Sequence, residues 1–436
     1  MASSTDDITH LLRRTEFVAR PARVSALTPL DLSAAVDDVL NVGLNPADTL
    51  PPFLQAHNEN MTWEQFVASV HWWIDRMVDV PRPVQEKMTL FWHGHFVSGW
   101  EKVFRTDAML SQNRLYRQRA LGDLRLLAQA MAIEPAMLLY LDNAESVKGN
   151  ENQNFARELL ELFLLGVGNY AESDVEAAAK AWTGHNLDWD TYRYVFRPGD
   201  HDTAQKTFFG TTRDWNGPDI IDHVLRDNPS TRAVAARFIS KKLWEFFAYQ
   251  GPSADLVNAL ADGFITSGLD IRALLRAILL HPEFYSQRAR QGMVRSPIDY
   301  VVALMEATGH RCATLHPEWF FEDMGQVPFN PPNVSGWRLN GYWVNSATFG
   351  GRASIARHAT WSMREDGGFD HLKQLTVPAA IAEMATMFRL VPLSSTTDAA
   401  LTTWLQGERS VEPWGGWWQP TNLLTMSMLT PEFHVA

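Results

Sequence analysis

Asn152-Gln-Asn-Phe-Ala-Arg-Glu-Leu-Leu-Glu-Leu-Phe-Leu-Leu-Gly166 is the stretch whose reading decides the fold. Leu159, Leu160, Leu162, Phe163, Leu164 and Leu165 leave scarcely any polar face, so the segment predicts a helix over 154–165 that is buried all round. Charges on such a helix are expensive. Asn154, Glu158 and Glu161 fall on one stripe by three- and four-residue steps, and a buried carboxylate must be paired, protonated or bound to a metal ion. The stripe is therefore either part of a site or an internal ionic network. In the second case Arg157 serves Glu161, and Arg114 or Arg117 reaches Glu158.

Helical periodicity extends outward from this segment over the first 180 residues. Helices are predicted over 6–17, over 28–42 with Thr28 as cap and Pro29 in the first turn, and over 121–132 and 174–182. Thr62 opens another, whose Trp63, Phe66, Val70 and Trp73 read as a core face. After Pro81 and Pro83 the pattern resumes from Val84 until Gly94 breaks it. Tyr192, Tyr194 and Phe196 then alternate with polar residues, and Lys206 to Gly210 follows a polar loop, which reads as a short β-hairpin near 192–210. Helices return over 219–300. The segment 316–351, rich in Pro, Gly, Asn and Trp, reads as a long structured loop. Leu274 to Phe284 and Leu423 to Phe433 resemble each other as apolar helices halted by proline and anchored by Phe, a structural likeness without a recurring period. The expected fold is mainly α: a large single-core helical domain over 1–367 with a short hairpin and long structured loops, and a C-terminal helical extension over 368–436 packed on it.

Composition sets limits on function. Of 436 residues, 46% are hydrophobic and 20% charged, as in an ordered globular chain. Thirty-eight Lys and Arg against fifty Asp and Glu give a net charge of -12, the wrong sign for general nucleic-acid binding. The single cysteine, Cys312, forbids an internal disulfide and any multi-cysteine metal site, so a metal would need His, Asp or Glu ligands. A reducing compartment fits. The first ten residues carry neither a basic nor an apolar targeting segment, and no stretch is long and apolar enough to span a membrane, so a cytoplasmic location without membrane association is expected. Phosphate-loop, dinucleotide-binding, nucleophile-elbow and His-Glu-x-x-His signatures are missing from the sequence, which disfavours nucleotide chemistry.

Three further clusters carry candidate chemistry. In Phe91-Trp-His-Gly-His-Phe96, residues two apart on a helix diverge by about 200°, so His93 and His95 converge on one ion only if the helix ends at Gly94. Glu86 then shares the face of His93. The competing reading is a pair of hydrogen-bonded core histidines. In Gly199-Asp-His-Asp-Thr-Ala-Gln-Lys206, His201 and Asp202 supply an imidazole and a carboxylate on a loop able to close over a pocket, or belong to a solvated loop. In Phe329-Asn-Pro-Pro-Asn-Val-Ser-Gly-Trp337 and the following Gly341 to Asn345, the rings and amides of Asn333, Trp337 and Asn345 suit sugar or peptide recognition, or a rigid proline-fixed wall.

Taken in order, these clusters resemble a bacterial family known as domain of unknown function eighteen hundred. His10-Leu-Leu-Arg-Arg14 matches its opening element, Trp92 to Phe96 its Trp-His-x-His-Phe, and Asn152 to Phe163 its Asn-x-Asn-Phe-Ala-Arg-Glu-Leu-x-Glu-Leu-Phe. His201 onward matches its His-Asp-x-Gly-x-Lys, and Pro331 to Trp337 its Pro-Pro-Asn-Val-x-Gly-Trp. The resemblance implies no settled activity. Many relatives carry twin-arginine export signals, which by analogy implies a bound cofactor; this sequence lacks such a signal, and Ala204 stands where the loop pattern has Gly.

The resulting expectation is a metal-dependent enzyme, with a lean to hydrolysis. Its metal ligands are His93, His95, Glu158 and His201, its catalytic groups Glu161, Asp202 and Arg157, and its substrate contacts Asn154, Asn333, Trp337 and Asn345. Mixed imidazole and carboxylate ligation suits zinc, manganese or iron, and the substrate is a small molecule or glycan. The alternatives are a non-catalytic polysaccharide- or protein-binding scaffold, including one acting with a partner protein, and a non-haem metal oxidoreductase.

Overall fold

A computed structural model describes residues 3–44, 49–290, 292–365, 367–390, 392–412 and 416–436. Within them the chain forms 24 α-helical segments and two antiparallel hairpins, so the fold is mainly α. No helix among the described residues is long and apolar enough to cross a membrane.

The helix Val84–His95 organises the interior. Val84, Met88, Phe91 and Trp92 join one large apolar cluster with the helices Pro229–Phe247 and Ile271–Leu280. Leu90 joins a second, built with Thr62–Asp79, Pro297–Thr308 and the C-terminal helices. The helix is thus a wall shared by two cores, which explains why nearly all of it is buried. Leu372, Ile381, Leu405, Leu424 and Phe433 of the segment after 367 belong to the second core.

Local signals act mostly as expected, with informative exceptions. Thr28 ends a helix, Pro21–Leu27, rather than starting one; the next begins at Leu32, capped by Asp31, whose Oδ1 accepts from Ala34 N at 2.9 Å. Asp is a strong cap, and its side chain competes directly for the free amides of the first turn. The helix Val84–His95 runs through Gly94. Gly94 serves there for close approach, since a Cβ on it would stand 3.3 Å from the Trp337 ring. The strand pairing also differs from the expected hairpin. β1 (His185–Asp188) pairs with β2 (Arg193–Phe196), and β3 (Lys206–Phe208) pairs with β4 (Thr211–Arg213). Phe209 and Gly210, with φ of 42° and 75°, form the tight connection that folds β3 onto β4 instead of back onto β2.

The expected all-buried helix is the helix Gln153–Glu158 continued by a π-helical turn, Leu159–Leu164. The wider turn, closed by i to i+5 hydrogen bonds, shifts the residues that follow around the axis. Leu159, Leu160, Phe163 and Leu164 remain inside, while Asn154 is exposed and Arg157, Glu158 and Glu161 are only partly covered.

Candidate functional site

The expected ligands His93, His95, Glu158 and His201 do not converge. The ring of His93 is enclosed by Trp73, Phe329 and Trp337 at centroid distances of 5.6, 5.8 and 5.3 Å, and desolvation drives its pKa from 6.5 down to about 3. Its Nε2 is buried without a hydrogen-bond partner among the described residues, as a neutral core imidazole. His95 faces the other core, because the helix continues through Gly94 and separates the two rings by about 200°. His95 Nε2 donates to the Phe163 carbonyl at 2.9 Å, and Nδ1 lies 3.0 Å from Lys242 Nζ. Both nitrogens are occupied, which leaves His95 no lone pair for an ion.

His201 belongs to a third locality. Its Nδ1 donates to the Thr183 carbonyl at 2.9 Å, and its ring meets Phe196 and His185. Asp202 holds the loop itself: its Oδ1 accepts from Ala204 N at 2.7 Å, and its backbone N donates to Thr183 Oγ1 at 2.8 Å. Ala204 is absent from the positive-φ residues, so this loop closes without the glycine of the family pattern. Glu86, which shares the face of His93, is consumed by Arg117 and Arg76, both with Nε at 2.7 Å.

The polar stripe forms a surface network rather than a buried one. Arg157 pairs with Glu172, Nη1 to Oε2 at 2.9 Å, and Glu161 accepts from the Tyr170 hydroxyl. Partial burial and then repulsion from Glu161 raise the pKa of Glu158, against the opposing pull of Arg157. Asn154 stands in the first turn, where its backbone N is capped by Asn152 Oδ1 at 2.7 Å.

The proline-rich segment is an ordered wall. Trp100 N donates to the Phe329 carbonyl at 2.9 Å, and Glu101 N to Asn330 Oδ1 at 3.3 Å. Gly336, at φ +77°, lies so close to Gly94 that a Cβ would collide with the Gly94 carbonyl oxygen. This contact seats Trp337 beside His93. Asn333 Oδ1 accepts from Ser335 N at 2.9 Å, and Asn345 Oδ1 accepts from Ala347 N and Thr348 N at 3.0 and 3.1 Å. Their amides thus shape a turn and cap the helix Ser346–Glu365.

That wall closes one side of a cleft of about 360 Å³, into which Trp63, Phe66, Trp100, Trp337 and Glu318 project. Trp63, expected in the core, is 58% exposed and forms part of this cleft. Among the described residues, the one group of three His, Cys, Asp or Glu side chains with donor atoms within 4.8 Å of one another is His71, His316 and Glu318, at the edge of the same cleft. His71 comes from the helix Thr62–Asp79, one residue after Val70 of the cleft wall. His316 ends the short helix Cys312–Leu315 with φ 44°, and Glu318 lies in the 3₁₀ turn Pro317–Trp319. Glu318 Oε2 is 2.6 Å from His71 Nε2, and Oε1 is 3.1 Å from His316 Nδ1. Burial penalises the Glu318 charge, but hydrogen bonds from His71, its own backbone and His316 hold its pKa below the ordinary value. Trp319 stacks on His316 with centroids 4.3 Å apart and fixes that ring.

Sequence reading missed this group. His71 lies among residues read as a core face, and the other two lie 245 and 247 positions later in a segment read as loop. The one local signal is His316-Pro-Glu318, in which proline restricts the backbone between two ligand types.

The geometry defines a helical protein with an aromatic cleft edged by two imidazoles and a carboxylate. The chain belongs to the family described as Protein of unknown function (DUF1800), whose pattern matches residues 10–435. No curated protein and no solved structure matches it.

Proposed function

We propose that this protein is a metal-dependent enzyme of the hydrolytic type, with its metal held by His71, His316 and Glu318 and its substrate in the aromatic cleft. The observation that carries this reading is the convergence of three ligand atoms at the cleft edge. Two imidazoles and one carboxylate form a donor set suited to zinc, with open positions left for water and substrate. Manganese and iron accept the same set. Bound there, the metal supplies a Lewis acid and lowers the pKa of water. The chain's own groups do the rest. Trp319 holds His316 in place, the indoles of Trp63 and Trp337 offer flat faces for stacking, and Glu322 on the cleft wall is a candidate proton acceptor.

Stacking surfaces beside carboxylates and the Asn330 amide favour a glycan as the substrate class. The lone buried Cys312 supports a reducing, cytoplasmic setting. A second reading, a non-catalytic glycan-binding protein, rests on the same aromatic cleft without the metal.

The test is release of reducing ends from a panel of polysaccharides by the chain supplied with Zn²⁺, Mn²⁺ or Fe²⁺, compared with Glu318→Gln. Metal-dependent turnover that Glu318→Gln abolishes supports the hydrolase. Binding without turnover under every metal supports the scaffold, and oxygen consumption confined to Fe²⁺ supports an oxidoreductase.

A further inference from the structure

Around Lys87 of the helix Val84–His95, the interior holds more positive charge than the one carboxylate beside it can balance. Arg14, Lys87, Arg295 and Arg352 are all at least nine-tenths buried and surround a single carboxylate, Asp299. Lys87 Nζ takes that carboxylate at 2.5 Å. The three guanidinium groups are instead tethered to backbone oxygens. Arg295 Nη1 donates to the Phe433 carbonyl at 2.6 Å, Arg352 Nη2 to the Arg295 carbonyl at 2.7 Å, and Arg14 Nη2 to the Ala289 carbonyl.

Tethering of this kind satisfies some donors but supplies no net negative charge. Arg14 Nε, Arg295 Nε, and both Nε and Nη1 of Arg352 remain buried with no hydrogen-bond partner among the described residues. Orphaned buried donors are rare in folded proteins, and each uncompensated buried ion costs several kcal/mol. Deprotonation offers no escape, because arginine keeps its proton at physiological pH. Desolvation lowers Arg14 and Arg295 only to about 9 and Arg352 only to about 10, so all three remain cations near neutrality.

The cluster also has access to solvent. A cleft of about 360 Å³ has Arg13, Arg295, Arg389 and Phe433 in its lining, so Arg295 belongs to both the buried cluster and the cleft wall. Arg389, whose Nη2 lies 3.5 Å from Glu306 Oε2, keeps a further buried nitrogen, Nη1, without a partner among the described residues. The carboxylate in that lining, Glu432, is already engaged by Ser394 N at 3.0 Å and Thr397 Oγ1 at 3.1 Å. His10-Leu-Leu-Arg-Arg14, which the proposed metal centre does not use, brings Arg13 to the cleft and Arg14 to the cluster behind it.

We propose that this cleft binds a phosphate-type oxyanion, gripped by Arg13, Arg295 and Arg389 and held by the field of Arg14, Arg352 and Lys87 behind them. A doubly charged oxyanion matches an excess of several cations better than a single carboxylate does, and its planar pairs of oxygens suit guanidinium donors. The site is separate from His71, His316 and Glu318, and neither proposal depends on the other.

The test is thermal unfolding of the full chain against inorganic phosphate, with ionic strength held constant by chloride, and in parallel arms against glycerol 3-phosphate and acetate. Wild type should show a saturable rise in Tm with millimolar phosphate and little response to acetate. A lower half-saturation for glycerol 3-phosphate than for phosphate identifies a phosphomonoester ligand; the reverse order identifies free phosphate. Arg295→Met and Arg389→Gln should each raise the half-saturation by roughly tenfold or more, about 1.4 kcal/mol of binding. Glu318→Gln should leave it unchanged. Should Arg295→Met fail to fold, Arg389→Gln alone decides. No saturable shift in wild type, or the same shift in both arginine variants, would overturn the proposal.

Discussion

Replacing Glu86 with Ala should be among the most destabilising single changes in this protein. Its carboxylate is wholly buried and accepts from Arg117 Nε and Nη2 at 2.7 and 2.9 Å, Arg76 Nε at 2.7 Å and Trp73 Nε1 at 3.1 Å. These contacts tie three helices together: Val84–His95, Thr106–Arg119 and the Thr62–Asp79 helix that carries His71. Removing one partner of a buried ionic group costs about 3 to 5 kcal/mol. An unfolding entropy of about 2.1 cal/mol/K per residue over 436 residues amounts to ~0.9 kcal/mol/K, so a cooperative loss of ~4 kcal/mol lowers Tm by about 4 °C. Burial raises the cost of the Glu86 charge, but Arg117 and then Arg76 outweigh it, and the folded pKa lies below the ordinary 4.5. Its contribution is therefore complete above the unfolded pKa and is lost as pH falls through the folded one. Circular dichroism melts of wild type and Glu86→Ala should differ by about 4 °C at neutral pH and converge in strong acid, with Glu172→Ala, which removes an exposed partner, as a near-neutral control. A gap under about 1 °C at neutral pH, or one that does not narrow in acid, refutes the ionic account of this junction.

Three further outcomes are expected. Gly336→Ala places a Cβ at φ +77° against the Gly94 carbonyl, so it should cost roughly 1 to 3 kcal/mol in denaturant melts and perturb the Trp337 fluorescence it positions; a neutral effect removes the close-approach reading. Burial depresses His10 and His93 from 6.5 to about 3 and His185 and His434 to about 4, so the unfolded chain binds more protons below pH 6.5 and stability should fall steadily from there toward pH 4. A flat stability profile over that range would contradict their burial as neutral rings. Trp63→Ala, which removes an exposed cleft indole, should weaken glycan binding while leaving metal content and Tm nearly unchanged; equal loss of metal would place Trp63 in the metal centre's support instead.

The helical class was legible in the sequence because apolar spacing and helix-stop residues act locally. The ordered wall from Pro331 to Asn345 was legible too, since paired prolines and large indoles restrict a segment wherever it docks. Readings that depended on backbone count failed. The helix expected to be buried all round has a solvent side, because Asn154, Arg157 and Glu158 precede the apolar run that enters the core, and a helix that continued through Gly94 sent His93 and His95 to opposite cores. The group of His71, His316 and Glu318 and the arginine cluster were illegible for another reason. His71 meets Glu318, and Arg14, Arg295 and Arg352 gather near Asp299, only after distant helices pack, and no local spacing records that encounter.

The central claim is that His71, His316 and Glu318 hold a metal ion, and X-ray absorption spectroscopy of the full chain loaded with one equivalent of Zn²⁺ tests it most directly. The account predicts a four-coordinate first shell of nitrogen and oxygen at about 2.0 to 2.2 Å, with scattering from two imidazoles that falls to one in both His71→Ala and His316→Ala. A zinc shell unchanged in both variants, or zinc that does not remain bound through gel filtration, would contradict it.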